Sequence, residues 1–487
     1  LYYKRVNLLI LAYGVSATNP PNRNWHFPEE RPPTTKEYFR RNGLGEPERY
    51  PESFIYKAYE ILDTTNRGLD EATIVGDLDA LLDEYKGIFE NPIPEEPETP
   101  IQPPPTIVES NPAKTQEHSL VSKFLDAAKS AHYRVSEDLA TRYIASLLTK
   151  PFVILTGLSG SGKTKLAQVF AEWICESEEQ YRIVPVGADW TNREPLLGFP
   201  NALDRGRYVS PDSRVLELMI DAERNPDKPY FLILDEMNMS HVERYFADFL
   251  SAMESGEKIF LHPESHDLEG IPSSVTLPAN LFMVGTVNID ETTYMFSPKV
   301  LDRANVIEFR VSDTEMDVFL RGDTHSAIEM KRGSGSELGN LFISLRNGEK
   351  QSHDFAREKL MEFFRELRPI GAEFGYRTAS EISRFFSFMK KLSPDAENDA
   401  ILDGAIFQKL LPKVHGSRSK LDPVLKKLIG LCLSPSEAQK ELVDVLIKGS
   451  KVPNEPDLLV RYPLSLEKLL RMYRNMTDNG FTSFAEA

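Results

Sequence analysis

Gly157-Leu158-Ser159-Gly160-Ser161-Gly162-Lys163-Thr164 lies between an apolar run at 151–156 and an amphipathic run at 165–174. A strand, a glycine-rich turn and a helix in direct succession bring a row of backbone N–H groups to a helix N-terminus, the arrangement of a phosphate cradle. The G-x-x-x-x-G-K-T spacing adds the chemistry. The glycines let the N–H groups turn inward, Lys163 reaches the β- and γ-phosphates, and the Thr164 hydroxyl holds magnesium. Gly157, Ser159, Gly160, Ser161, Gly162, Lys163 and Thr164 are therefore the expected contacts to a nucleoside triphosphate.

Residues 229–234 make a second apolar run, ending in Asp235-Glu236. The carboxyl ends of parallel strands share one edge of their sheet, so this pair comes to lie beside the phosphates. Asp235 is expected to hold magnesium through water and Glu236 to polarise the attacking water. Alone, two such carboxylates serve equally as a solvated strand end or a helix cap. The upstream loop favours the catalytic reading.

Strand patterns recur at 181–186, 281–286 and 306–309 with helical patterns between them, which predicts a doubly wound parallel α/β sheet. Helical spacing at 119–131 and 136–148, each opened by a serine able to act as N-cap, leads into the first core strand. Beyond about Val311 the strand patterns stop, and 354–367, 378–391, 403–411, 422–433, 435–448 and 464–478 read as helices. The segment 331–338, rich in Gly and Ser, reads as a flexible loop. Residues 91–117 carry eight prolines and no periodic apolar face, the signature of an extended, semi-rigid linker. The expected division is an N-terminal module at 1–90, the linker at 91–117, an α/β subdomain at 118–312 and a helical lid with the C-terminal region at 313–487. The first module reads as α+β or mainly helical, with helical spacing at 50–61 and 77–86 and a turn-rich loop at 18–24.

Three further residues complete the candidate site. The strand ending at Asn288 presents an amide where the lytic water must be oriented, although an Asn there can also simply turn the chain. Ser297 to Arg303 reads as a short helix before the last strand; Arg303 can form surface salt bridges or act as an arginine finger on a neighbouring subunit's γ-phosphate. Arg377 opens a helix of the lid, from where it can report nucleotide state.

Taken in this order, the P-loop, the Asp-Glu strand, the Asn, the finger Arg and the lid Arg resemble the AAA+ ATPases. The run from Asp235-Glu236-Met237-Asn238 to Ala252-Met253-Glu254, with an inserted hairpin at 256–262 and 274–280, is similar to the branch containing MoxR proteins and the McrB restriction motors. Segments 285–294, 409–417, 463–468 and 480–484 are similar to McrB-like proteins, so the resemblance covers 118–487. It implies a hexameric ring, a DNA-recognising N-terminal domain and a separate McrC-like nuclease that stimulates hydrolysis and cuts. Guanine-selective McrB types carry M-N-T-x-D after the sensor strand, whereas this chain reads Val287-Asn288-Ile289-Asp290-Glu291. ATP is therefore the expected nucleotide and GTP the alternative. The reading is an NTPase motor subunit of a McrBC-like restriction or anti-phage defence complex; the rival is a MoxR-like chaperone remodelling a protein complex.

Charge limits where DNA can touch. With 57 Lys and Arg against 74 Asp and Glu the net charge is −17, so the chain as a whole is no polybasic wrapper of nucleic acid. Residues 1–57 reverse the balance, with nine Lys and Arg against six Asp and Glu, interleaved with Tyr2, Tyr3, Tyr13, Trp25, Phe27, Tyr38 and Phe39. These can stack on an extruded base and bind phosphate, or be the core and rim of a small domain. No metal-nuclease pattern stands out, so cleavage is assigned to a partner. Cys175 and Cys432, the two thiols of a 487-residue chain, suit a reducing cytoplasm and read as buried fillers. No apolar stretch approaches the ~20 residues that span a bilayer. The chain opens with Leu, so residues are expected upstream.

Overall fold

Apolar runs that alternate with amphipathic ones fold by burying both faces of a sheet under helices. The computed structural model describes residues 2–3, 8–13, 32–44, 53–60, 73, 76–80, 112–204, 206–289, 296–311, 316–317, 320, 329–346, 354–434, 439–448 and 460–484. The turn at 18–24, Trp25, Phe27, residues 81–86, the linker up to residue 111 and the run Asp290-Glu291 lie outside the described residues. The chain forms two units, Leu1–Val108 and Glu109–Ala487.

In the first unit β1 (Tyr2–Tyr3), β2 (Leu8–Tyr13) and β3 (Phe54–Glu60) make an antiparallel sheet in the order β1-β2-β3. Helix α1 (Thr35–Arg41) starts with a capping box between Thr34 and Glu37. Ile10, Phe39 and Ile55 form its small core. The helix expected at 50–61 is corrected: this segment is strand β3, paired with β2 through Ile10 opposite Ala58. Phe54, Ile55, Tyr56 and Tyr59 are β-favouring residues, and a partner strand far off in sequence decides what local spacing left ambiguous. Residues 76–80 are helical and bring Asp77 within 2.6 Å of the Lys57 ammonium.

The second unit opens with α2 (Pro112–Ser130) and α3 (Glu137–Thr149), the latter capped by Ser136. Because α2 starts at Pro112, residues 112–117 are helical and are not linker; proline is well tolerated in a helix's first turn. Then follow β4 (Phe152–Gly157), α4 (Lys163–Ile174), β5 (Tyr181–Pro185), α5 (Glu194–Leu197), β6 (Phe199–Pro200), β7 (Tyr208–Val209), α6 (Val215–Arg224) and β8 (Tyr230–Asp235). After these come α7 (Val242–Tyr245), α8 (Ala247–Ser255), β9 (Ile259–Phe260), β10 (Ser274–Val275), β11 (Leu281–Asn288), α9 (Pro298–Leu301) and β12 (Asn305–Phe309). Strands β12-β4-β11-β8-β5 form one sheet, every neighbouring pair parallel. All eight residues of β11 and all six of β4 are buried, as central strands covered on both faces must be. Strands β9 and β10 pair as the inserted hairpin.

Phe170 of α4 is the hub of the core beneath the loop. Its ring centroid lies 5.1–5.8 Å from those of Phe124, Tyr143, Trp173, Phe231 and Phe342, joining α2, α3, β8 and the lid to the P-loop helix. Cys175 and Cys432 are fully buried, and burial pushes both thiols up.

The lid comprises α10 (Gly339–Arg346), α11 (Asp354–Leu367), α12 (Tyr376–Leu392), α13 (Asn398–Lys409), β13 (His415–Ser417), α14 (Arg418–Leu431), α15 (Gln439–Ile447), α16 (Pro463–Asn479) and β14 (Phe481–Ser483). Two short strands do follow Val311, contrary to expectation: β13 and β14 pair antiparallel, too short to leave a period-two pattern. The segment 331–338 is no flexible loop either. Gly333 and Gly335 donate N–H groups to the Glu172 and Trp173 carbonyls at 2.8 and 2.9 Å, satisfying the last turn of α4. A Cβ at Gly335 would meet Trp173 at 2.2 Å, so only glycine fits. Lid and sheet are also tied where Arg471 donates two bonds to buried Glu308, at 2.9 and 2.8 Å. Among the described residues no helix is long and apolar enough to cross a membrane.

Phe170→Ala should destabilise the second unit by about 3–5 kcal/mol, because five aromatic neighbours cannot collapse into the void. Denaturant unfolding of the two proteins checks this.

Candidate active site

Strands β4, β11 and β8 are adjacent, and their carboxyl ends present Gly157, Asn288 and Asp235 along one edge. The loop from β4 to α4 needs its glycines. Gly160 and Gly162 have φ of 72° and 95°, and a Cβ on Gly157 would sit 2.2 Å from the Phe309 carbonyl oxygen. Gly162 gives α4 no side-chain cap, so the first N–H groups of this helix are offered to an anion. Tyr133 reaches the Gly162 carbonyl with its hydroxyl at 3.4 Å and steadies the loop from α2's side.

The buried Lys163 ammonium donates to the Gly157 and Leu158 carbonyls at 3.0 and 2.5 Å, and lies 3.4 Å from the Ser161 hydroxyl. Its charge is thus held inside the curve of the loop. Thr164 donates its hydroxyl to Asp235 Oδ1 at 2.6 Å. A hydroxyl and a carboxylate side by side are hard oxygen donors of the kind magnesium accepts, with its other positions left to water and phosphate. The residues present therefore fit both a triphosphate and magnesium.

Asp235 Oδ1 accepts a second bond, 2.7 Å from the Thr286 hydroxyl, and Thr286 Oγ1 accepts in turn from the Glu236 backbone N–H at 3.0 Å. Glu236 has φ 52°, a left-handed conformation uncommon for a residue with a side chain, and this bond helps hold it there. Asn288 Nδ2 donates to Glu236 Oε1 at 3.0 Å, fixing the direction of the carboxylate. Thr286 was missed by sequence reasoning. The available signal is a hydroxyl in an otherwise apolar strand, two residues before Asn288 and so on the same face.

The two arginines converge on a different carboxylate. Glu254, near the end of α8, forms ion pairs with Arg303 and, at 3.3 Å, with Arg377. Arg303 also donates to the Leu250 and Lys299 carbonyls at 2.8 and 2.7 Å. Burial, and then the neighbouring Arg377 charge, lower the hold of Arg303 on its proton. The structure thus gathers the expected residues into two groups, one at the strand ends and one at Glu254.

A further ionic cluster, unforeseen in the sequence, joins sheet and lid. Glu381 of α12 pairs with Lys150 at 2.5 Å and with Lys409 at 2.7 Å. Burial pulls the Lys150 ammonium down to about 8, while Glu381 stays below its ordinary range because the two lysines outweigh the burial that would raise it.

Residues 152–304 match the AAA domain of the dynein-related subfamily, and residues 333–481 match a domain of unknown function, DUF8727. Over 303 residues the chain is 26% identical to the type IV methyl-directed restriction enzyme EcoKMcrB subunit of Escherichia coli K12, covering 59% of this chain. The chain spans 58% of that relative's length. Among solved structures, a candidate ATPase from Cytophaga hutchinsonii is similar at 12% identity with a TM-score of 0.45, over 62% of this chain and 88% of that one. A full-length MCM homolog from Methanopyrus kandleri is similar at 14% identity with a TM-score of 0.35, over 64% of this chain and 62% of that one. The strand order, the glycine loop and the matched segment together make residues 152–304 an AAA+ P-loop ATPase domain of the dynein-related subfamily, in a chain related to McrB.

Proposed function

We propose that this chain is the motor subunit of a McrBC-like DNA restriction or anti-phage defence complex. It hydrolyses ATP, with GTP as the alternative, in a cytoplasmic homohexameric ring and activates a separate McrC-like nuclease. The observation that carries the hydrolytic part is the double junction at the strand ends, Thr164 to Asp235 and Asn288 to Glu236. The restriction part is supported by the similarity to the McrB subunit over 303 residues. DNA is assigned to the N-terminal module, where Lys and Arg outnumber Asp and Glu over residues 1–57.

In this reading the α4 N-terminus and the loop N–H groups bind the phosphates, and Lys163 turns from the loop carbonyls toward the β- and γ-oxygens. Magnesium, when bound, neutralises charge developing on the phosphate oxygens. Thr164 and Asp235 hold it, and Thr286 keeps Asp235 in place. Glu236 accepts a proton from the attacking water at the oxygen that Asn288 does not occupy. Arg303, released from Glu254, acts on the neighbouring subunit's site, and Arg377 reports on the lid side.

Phosphate release from ATP and from GTP, with and without DNA and the nuclease partner, tests the assignment as a whole; hydrolysis unmoved by either would favour remodelling of a protein complex instead. Lys163→Ala should lose nucleotide binding in calorimetric titration, whereas Glu236→Gln should bind normally and turn over at least about a hundredfold more slowly. Thr286→Val keeps the side-chain shape but removes a bond to a charged carboxylate, so kcat should fall about tenfold with little change in nucleotide affinity. Arg303→Ala should bind nucleotide and lose about 10³ in rate. Mixed with Lys163→Ala protein under confirmed subunit exchange, it should regain part of the activity, because some interfaces then pair an intact site with an intact finger. Failure of every mixture would remove the shared-site mechanism.

A further inference from the structure

The residues on either side of Arg303 are held by their backbone carbonyls, and both holders are buried lysines. Lys150 Nζ donates to the Asp302 carbonyl at 2.9 Å, and Lys409 Nζ donates to the Ala304 carbonyl at 2.8 Å. One carboxylate joins them, since Glu381 Oε1 lies 2.5 Å from Lys150 and Oε2 lies 2.7 Å from Lys409. The three side chains are nearly shut off from solvent, at 11%, 11% and 2% exposure for Lys150, Glu381 and Lys409. Lys413 adds a 2.5 Å contact to the Asp302 carboxylate. Each member comes from a different part of the molecule. Lys150 caps the end of α3, two residues before the strand that feeds the P-loop, Glu381 is on lid helix α12, Lys409 ends lid helix α13, and the carbonyls belong to the turn between α9 and β12.

We propose that Lys150, Glu381 and Lys409 form a positioning cluster through which the orientation of the lid sets the place of Arg303. The proposal rests on the reading of Arg303 as the finger. Buried ion clusters seldom add stability over well-packed apolar residues, so geometry is the better account of this one. Hydrogen bonds to carbonyls are short-ranged and directional, and a lid displaced by about an ångström cannot keep all four contacts. The same helix closes a second path to the finger. Arg377 stands four residues before Glu381, one turn along α12, and shares Glu254 with Arg303. Lid helix, finger and α8 therefore form a closed loop of charge contacts.

The test uses the full chain. Glu381→Gln leaves two buried lysines without a counter-charge and can unfold the protein, so the decisive variant carries Lys150→Met, Glu381→Leu and Lys409→Met together, which buries no charge. Its unfolding midpoint should stay near that of the parent, since removing the buried charges offsets the hydrogen bonds lost at the Asp302 and Ala304 carbonyls, and its KM for ATP should stay within about twofold, while kcat falls at least about tenfold as the finger loses its place. Added to Arg303→Ala, the three changes should lower the residual rate no further, as expected of groups that act through one another. A folded triple variant with the parental kcat beside an inactive Arg303→Ala overturns this proposal alone. So does a further drop in the combined protein. Full activity of Arg303→Ala overturns the finger reading and the proposal with it.

Discussion

Asp235 Oδ1 accepts hydroxyl bonds from Thr164, at 2.6 Å, and Thr286, at 2.7 Å. The site depends on this one oxygen, because it joins the P-loop helix to two neighbouring strands of the sheet. The residues concerned stand at the ends of elements whose interiors are fixed by burial, and parallel register leaves little slack at those ends. From this oxygen the arrangement spreads outward. Thr286 takes up the Glu236 N–H in its left-handed conformation, and Asn288, two residues on, orients the carboxylate itself.

Much of this was legible because it is written locally. A strand, a glycine loop and a helix in succession, and an apolar run ended by Asp-Glu, need no knowledge of distant chain. The central strands followed from runs too apolar to be anything but buried. What escaped was set by partners far away in sequence. Strand β3 depends on β2 more than forty residues earlier, and the apparently loose segment 331–338 is shaped by Trp173 on another helix. Lys150, Glu381 and Lys409 are more than two hundred residues apart at their widest, and no spacing rule connects one buried lysine to another. Thr286 was within reach, since its face of β11 is shared with Asn288, but a single hydroxyl in an apolar strand is a weak signal.

If Arg303 serves a neighbouring subunit, as proposed above, Glu254 is its resting partner in the isolated chain. A guanidinium left without an anion seeks one, and Glu254 is shared between Arg303 and Arg377. Two positive charges on one carboxylate are a less complete match than one each, so a phosphate presented across an interface competes on favourable terms. Half of the Glu254 side chain is open to solvent, which weakens its hold further.

The turn at 331–338 has a mechanical consequence. Helix α4 runs antiparallel to the strands, from the phosphate edge to the opposite edge of the sheet, and Gly333 and Gly335 are bonded to its last turn. The chain thus leaves β12 at the phosphate edge and enters the lid from the rear, where Gly335 lies flush against the Trp173 indole. The lid is therefore joined to the α/β part at the edge of the sheet remote from the glycine loop, as a crane has its footing well behind its load.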